Sequence, residues 1–334
     1  MTVTRNRLAA PALAGLFLLA AALPAAAAKP IFTLGDPRGD DHGNGSLIYP
    51  LDSDFEAGDL DLLTFAARRE GGGTLFEATF ARPVRQPIRR AIDDLGTLLT
   101  DIARFGFYTV NVDVYVDVDR VPSSGGVAML PGRKAEVDPA FAWDRAVILT
   151  PRPSAARAEL KQLMSLEIKK AAKEEKDIDR TELEILRAGI AENVEQRVFF
   201  PNRIRVQGPR ISFFVPDEFL GGPASPQWAY VVVVSGADFR QSYDLGATVG
   251  VGERTSDRLM ILPIGEGTWQ DRFGGAPEDD HLAPPLVDVV VPAGATQERL
   301  LSDYDVRQGV PVRLPGVVPA AGGGETGKAG GGGR

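Results

Sequence analysis

Residues 111–119 read Asn-Val-Asp-Val-Tyr-Val-Asp-Val-Asp, and this stretch decides the fold class. Valine occupies every second position, so successive side chains point to an aliphatic face and a polar face in turn. A period of two residues is typical of a half-buried β-strand. We therefore predict a strand that packs its valines on a hydrophobic core and carries an acidic opposite face.

Further segments share this signature, because they are short, rich in β-branched or aromatic residues, and mostly bounded by Gly or Pro. They are residues 74–80, 146–150, 203–206, 210–215, 228–235, 259–262 and 286–291. The pair Gly208-Pro209 lies between two of them and predicts a hairpin turn. Many short strands without alternating helices predict a mainly β protein, an antiparallel β-sandwich.

One region, residues 153–197, interrupts the strand pattern with helical periodicity. Two segments each place apolar residues on one helical face, and a polar stretch at 173–179 separates them. The first face contains Leu160, Leu163, Met164 and Ile168, and the second contains Leu183, Leu186, Ile190 and Val194. We predict a helical hairpin inserted into the sandwich. Its apolar faces could pack on each other or on the sheet, or they could dock a protein partner.

A glycine-rich loop at residues 35–45 concentrates acidic and amide side chains in Gly-Asp-Pro-Arg-Gly-Asp-Asp-His-Gly-Asn-Gly. Calcium prefers many oxygen ligands and a backbone that can turn sharply around the ion. This pattern predicts a structural calcium site formed by Asp36, Asp40, Asp41 and Asp61. The alternative is a solvated turn, since Asp, Asn and Gly are also common turn formers.

The same loop, continued through Ile48-Tyr49-Pro50 and residues 55–62, resembles the opening motif of the glucodextranase C-terminal domain family. Further motifs follow in the family's order at residues 113–117, 130–135, 213–222, 228–231 and 269–275, with Lys134 where Asn is usual. The resemblance extends from about residue 32 to about residue 306. It implies a DOMON-like jelly-roll sandwich that binds carbohydrate or cell-envelope glycan without catalysing a reaction.

Aromatic side chains are the usual platforms on which binding modules stack sugar rings. Trp269 and Phe273 lie in a loop that contains several glycines, so we predict that both rings project there as a ligand surface. A core role for Trp269, closing the end of the sandwich, is the alternative.

The sequence singles out no catalytic residue. It contains no cysteine, and it has no nucleophile-elbow motif. His42 and His281 are the only histidines, too few for a convincing zinc or manganese site, and neither pairs by spacing with a methionine for haem. A glycoside hydrolase stays a minor alternative, because the many acids do not identify an opposed pair.

Residues 1–28 contain two arginines, an apolar run and an alanine tract, which predicts a secretory signal peptide and an exported, periplasmic or extracellular protein. The domain then spans 29–319, and the Gly-rich residues 320–334 predict a disordered tail. The apolar run is too short to predict a membrane span. The net charge of −8 argues against nucleic acid as a partner.

Overall fold

The computed structural model describes residues 29–94, 96–174, 180–240, 258–277 and 281–320. The predicted signal peptide and, beyond Ala320, the predicted tail lie outside these residues. The strands are β1 Phe32–Gly35, β2 Leu62–Glu70, β3 Gly73–Phe80, β4 Val110–Asp117, β5 Ala135–Val137, β6 Arg145–Leu149, β7 Val198–Phe199, β8 Ile204–Gln207, β9 Arg210–Pro216, β10 Ala229–Gly236, β11 Asp288–Val289 and β12 Val312–Leu314. The α-helices are α1 Leu99–Ile102, α2 Pro153–Glu174, α3 Arg180–Arg197, α4 Asp217–Leu220 and α5 Gln297–Leu301.

Two five-stranded sheets form the body of the protein. Sheet I has the order β1-β2-β3-β9-β8, and sheet II has the order β11-β10-β4-β6-β7. Neighbouring strands are antiparallel except for β6 and β7, and β5 pairs with β12 in a short parallel ladder. The predicted hairpin at Gly208-Pro209 connects β8 to β9. The prediction of an antiparallel sandwich is confirmed.

The principal core contains aromatic side chains from sheet I and valines from β4 and β10. Phe65 stacks on Phe76 with ring centroids 5.3 Å apart, and Phe76 lies 5.7 Å from Phe213. All three rings are buried. Such rings bury a large apolar area per side chain, and their burial supplies most of the driving force for folding.

Strand β4 differs from its prediction, because all eight of its residues are buried. The valine face packs into the principal core, and the polar face is covered by a second core that contains Tyr115 and Trp143, whose rings lie 5.6 Å apart. An acidic, half-exposed face was therefore the wrong expectation. The periodicity was correct, but a further layer of chain covers the polar side.

A buried ion pair compensates the charge of Asp113 in this second core. The Arg133 guanidinium is fully buried and donates from Nε to Oδ2 at 2.6 Å and from Nη2 to Oδ1 at 3.2 Å. Its Nη1 donates to the carbonyls of Pro131 (2.8 Å) and Leu259 (3.0 Å). Two-point pairing of this kind fixes the turn at 130–135 against β4.

The backbone of that turn adopts left-handed conformations at Gly132 (φ 85°) and Lys134 (φ 52°). A Cβ atom on Gly132 would lie 2.3 Å from the carbonyl oxygen of Arg258, so only glycine fits there. Lys134 is an uncommon residue for this conformation, which Asn tolerates better. This preference gives a physical reason for the Asn that is usual at this position of the motif.

The helical hairpin α2–α3 lies between β6 and β7, as predicted. Its foot packs on the second core through Ala156, Leu160 and Val194, and Leu163 and Met164 are partly buried beside them. The side chains of Leu183, Leu186 and Ile190, which completed the predicted second face, lie outside those described. Among the described residues, no helix combines the length and apolar character needed to span a membrane.

Several segments differ from the sequence predictions. Strands β1, β2, β5, β7 and β12 were not predicted. Residues 259–262 form a turn, with Leu259 at φ 43° and Met260 at φ 62°, and only Ile261 makes an isolated bridge to Ala237. Of the last predicted strand, 286–291, only Asp288–Val289 forms a regular strand, β11.

Candidate cation site and ligand surface

The acidic loop is held between the two sheets by backbone contacts and by one buried glutamine. Gly43 N–H donates to the carbonyl of Val287 at 2.9 Å. The Gln297 amide at the start of α5 donates to the carbonyls of Asp40 (2.5 Å) and Gly43 (3.0 Å) and accepts from Val289 N–H at 2.7 Å. These bonds connect the loop to the β11 segment of sheet II, and Asp36 N–H donates to the Leu63 carbonyl of β2 in sheet I at 2.9 Å, so the loop contacts both sheets.

Three carboxylates converge where the loop meets β11. Oxygens of Asp36, Asp40 and Asp288 lie within 4.8 Å of one another. The other Asp288 oxygen, Oδ2, accepts from Leu62 N–H at 2.6 Å, which fixes the side chain beside the start of β2. Asp288 is the residue that sequence reasoning missed. Its signal was a single acid inside the apolar segment predicted as a strand at 286–291, far along the chain from the loop.

Asp61 lies next to this group, and Asp41 does not. Asp61 Oδ2 accepts from Gly39 N–H at 2.8 Å, while its Oδ1 is buried without a hydrogen bond. Asp41 Oδ2 instead accepts from the Tyr49 hydroxyl and from Gly58 N–H (2.6 Å). Asp41 therefore stabilises the loop through these hydrogen bonds. In the acidic cluster, Asp288 takes the place that the sequence predicted for Asp41.

The electrostatics of the cluster are unfavourable for four bare anions. Burial raises the pKa of Asp36 to about 7, and the neighbouring Asp40 and Asp61 add to the effect. Burial also raises the pKa of Asp40 to about 6, and burial together with Asp36 raises the pKa of Asp288 well above its ordinary value. Both Asp36 oxygens, Asp40 Oδ1, Asp61 Oδ1 and Asp288 Oδ1 are buried and lack a hydrogen bond of good geometry from the described residues, although Asp36 lies close to Asp288 and to the backbone N–H of Val291.

Such a set of oxygens fits a hard divalent cation. Buried acceptors without donors are costly, and a cation satisfies several of them at once while cancelling their repulsion. Calcium takes six to eight oxygen ligands in flexible geometry, and carboxylates are among its usual ligands. The donor set is all oxygen, which suits calcium better than zinc.

A second acidic group, Asp117, Asp119 and Asp144, has a different role. Its oxygens accept backbone N–H bonds at the end of β4: Asp117 from Arg120 (2.7 Å), Asp119 from Val121 (2.8 Å) and Asp144 from Val118 (2.9 Å). Arg120 also lies 3.6 Å from Asp117 Oδ2. These bonds are typical of turn stabilisation, so this group offers weaker support for a cation.

Trp269 lies on the surface, with 59% of its area exposed. Its backbone carbonyl accepts from Leu51 N–H at 2.9 Å, and its N–H donates to the Arg272 carbonyl at 3.3 Å. Leu51 and Ile48 are exposed apolar neighbours on the adjoining segment. The ring is therefore available to a ligand, and it does not close the end of the sandwich.

Phe273 does not project with it, contrary to expectation. The ring is fully buried and makes edge contacts with Tyr49 (5.5 Å) and Phe55 (6.2 Å). Gly236 packs directly on it, since a Cβ there would lie 2.7 Å from the ring. Phe273 anchors the loop that presents Trp269, and the prediction that its ring projects from this loop is wrong.

Comparison with known proteins gives one family. A family model described as the C-terminal binding-module, SLH-like, of glucodextranase matches residues 31–315. No curated protein matches the chain. The match covers both sheets, the acidic cluster, the Trp269 loop and the inserted hairpin.

Proposed function

We propose that this chain, which belongs to the family of SLH-like C-terminal binding modules of glucodextranase, is an exported, non-catalytic module that binds carbohydrate or cell-envelope glycan. The observation that carries the proposal is the family match over 31–315. Support comes from the exposed Trp269, since sugar rings stack on exposed aromatic faces. The leader-like residues 1–28 support export.

Binding of the purified mature chain to a panel of polysaccharides tests this function. Trp269→Ala should weaken retention about fivefold, because ring stacking contributes on the order of 1 kcal/mol. Its melting temperature should stay near that of the wild type, because the ring is largely exposed. Leu51→Ala, an exposed apolar neighbour, is the matched control. A wild-type chain that binds no polysaccharide in the panel refutes the proposal.

The proposed cofactor is a structural calcium ion held by Asp36, Asp40, Asp61 and Asp288. By joining the acidic loop to β11, the ion would stabilise the contact between the two sheets. A ligand that binds only the folded state at a hundredfold excess over its Kd stabilises by about 2.7 kcal/mol. The melting temperature should rise with calcium and fall with chelator, and Asp40→Ala and Asp288→Ala should abolish the difference. Asp119→Ala is the control, and an unchanged wild-type melting temperature in both conditions refutes the cofactor.

A second candidate function is a scaffold that docks a protein through the helical hairpin. The observation that favours it is Ile185 on α3, which is 67% exposed. An apolar groove of 810 Å³ also runs between the foot of the hairpin and the segment that contains Met129 and Leu130. Exposed apolar surface of this kind is common at interaction sites.

A further inference from the structure

A second, polar cleft of 470 Å³ lies at the foot of the helical hairpin, between the hairpin and the corner from β9 to α4. Six of its lining residues carry the argument: Arg145, Arg157, Glu195, Phe199, Glu218 and Phe219. Its volume lies within the range of roughly 300–1,000 Å³ that small-molecule sites occupy. None of these residues belongs to the Trp269 loop or to the acidic cluster.

The aromatic part of the cleft is a pair of half-buried rings. Phe199 and Phe219 lie with their centroids 5.1 Å apart and their planes at 37°. Arg145 lies over the Phe219 ring at 6.0 Å. Its guanidinium is held by two backbone acceptors, with Nε donating to the Phe219 carbonyl at 2.8 Å and Nη1 to the Asp144 carbonyl at 3.1 Å. The rings and the cation are thus fixed before any ligand arrives, which lowers the entropic cost of binding.

The charges around the rings are of both signs. Arg157 pairs with Glu195 at 3.0 Å, and Glu195 also contacts Lys161. Arg145 and Glu218 form no ion pair with any residue that the structure describes. The cleft therefore presents hydrogen-bond donors on Arg145 and acceptors on Glu218. Beside them, the charge of Glu195 is neutralised by Arg157 and Lys161.

This combination excludes several ligand classes. An apolar ligand would leave charged groups desolvated without partners, and a phosphate or carboxylate would lie near the carboxylate of Glu218, which no ion pair with a described residue neutralises. A ligand with many hydroxyl groups both donates and accepts hydrogen bonds, and the C–H face of a sugar ring packs on aromatic rings.

We propose that the cleft at the foot of the hairpin binds an uncharged sugar residue. The sugar stacks on Phe219 and Phe199, while Arg145 donates to its hydroxyls and Glu218 accepts from them. This inference rests on the proposed function, glycan binding, and gives that function a second binding surface apart from Trp269. The hairpin then has a ligand role: α2 and α3 supply Arg157 and Glu195 as one wall of the sugar site.

The test measures binding of the full mature chain to dextran and laminarin, two neutral glucans, and to alginate, a polyuronate. Glu218→Ala and Phe219→Leu should each weaken neutral-glucan binding about fivefold or more. Phe214→Leu is the matched control, because Phe214 is a half-buried ring on β9 outside the cleft, and it should leave affinity unchanged. Because Glu218 is exposed, Glu218→Ala should fold normally. It therefore tests the cleft even if Phe219→Leu impairs folding.

The outcomes separate this inference from the function on which it rests. Neutral-glucan binding that is lost in Trp269→Ala but unchanged in Glu218→Ala and Phe219→Leu overturns the cleft and leaves the module glycan-binding. Binding of alginate alone, strengthened by Glu218→Ala, overturns the uncharged ligand. A wild-type chain that binds none of the three polysaccharides overturns the cleft as a neutral-sugar site, and the wider polysaccharide panel then decides the proposed function.

Discussion

Replacing Arg133 by methionine should destabilise the fold strongly. The substitution keeps an unbranched apolar side chain in the second core but removes the partner of Asp113. It also removes the donor to the carbonyls of Pro131 and Leu259. Among the described residues, Asp113 then keeps only the side-chain donor of Tyr115, whose hydroxyl donates to Oδ2 at 3.3 Å. A buried carboxylate thus loses two charge-assisted hydrogen bonds at once.

Breaking a buried pair by removing one partner costs about 3–5 kcal/mol. For a chain of this size, that loss lowers the melting temperature by roughly 10 °C. The double variant Asp113→Leu/Arg133→Met should recover most of the loss, since apolar replacements of buried pairs are often neutral or stabilising.

Urea unfolding followed by tryptophan fluorescence measures these differences, because Trp143 lies 5.6 Å from Tyr115 beside the pair. The single and double variants should have the wild-type dependence of unfolding free energy on urea. A loss below about 1 kcal/mol in Arg133→Met contradicts the reasoning. A double variant that is no more stable than the single one contradicts it as well.

Three further predictions concern the acidic cluster, the turn and the hairpin. With chelator present, stability should fall as the pH rises from about 4 to about 7, because the folded Asp36 holds a proton that the unfolded chain releases near 3.8. The shift of Asp36 alone corresponds to about 4 kcal/mol at most, and calcium should flatten the profile; a flat profile in chelator contradicts the burial of these carboxyls. Lys134→Asn should stabilise by about 0.5–1 kcal/mol in chemical unfolding, since Asn tolerates positive φ, whereas Lys134→Gln should not. Replacing Leu183 and Leu186 by Glu should leave the sandwich folded by circular dichroism but abolish partner retention if the hairpin is a docking arm; global unfolding would exclude that role.

Much of the fold followed from local patterns. The alternation at 111–119 predicted β4, and helical periodicity predicted a hairpin at 153–197 with the bounds that the structure has. Strand β2 was not predicted, because apolar and polar residues alternate only weakly in its sequence, Leu-Leu-Thr-Phe-Ala-Ala-Arg-Arg-Glu. Residues 259–262 were wrongly predicted as a strand because they form an apolar run. The chain turns there instead, and the Leu259 carbonyl accepts a hydrogen bond from Arg133.

The sequence by itself determined the central strands, the helical hairpin, and that one loop is rich in oxygen ligands. These properties depend on residues within a few positions of each other, whose side-chain periodicity is set by backbone geometry. Only the tertiary structure decided which side chains share a site. Asp288 joins Asp36 and Asp40 because β11 pairs with β10 and Gln297 fixes the loop beside it. Phe273 is buried and Trp269 is exposed although they lie only four positions apart. Burial is decided by packing between the assembled sheets, which the local sequence does not encode.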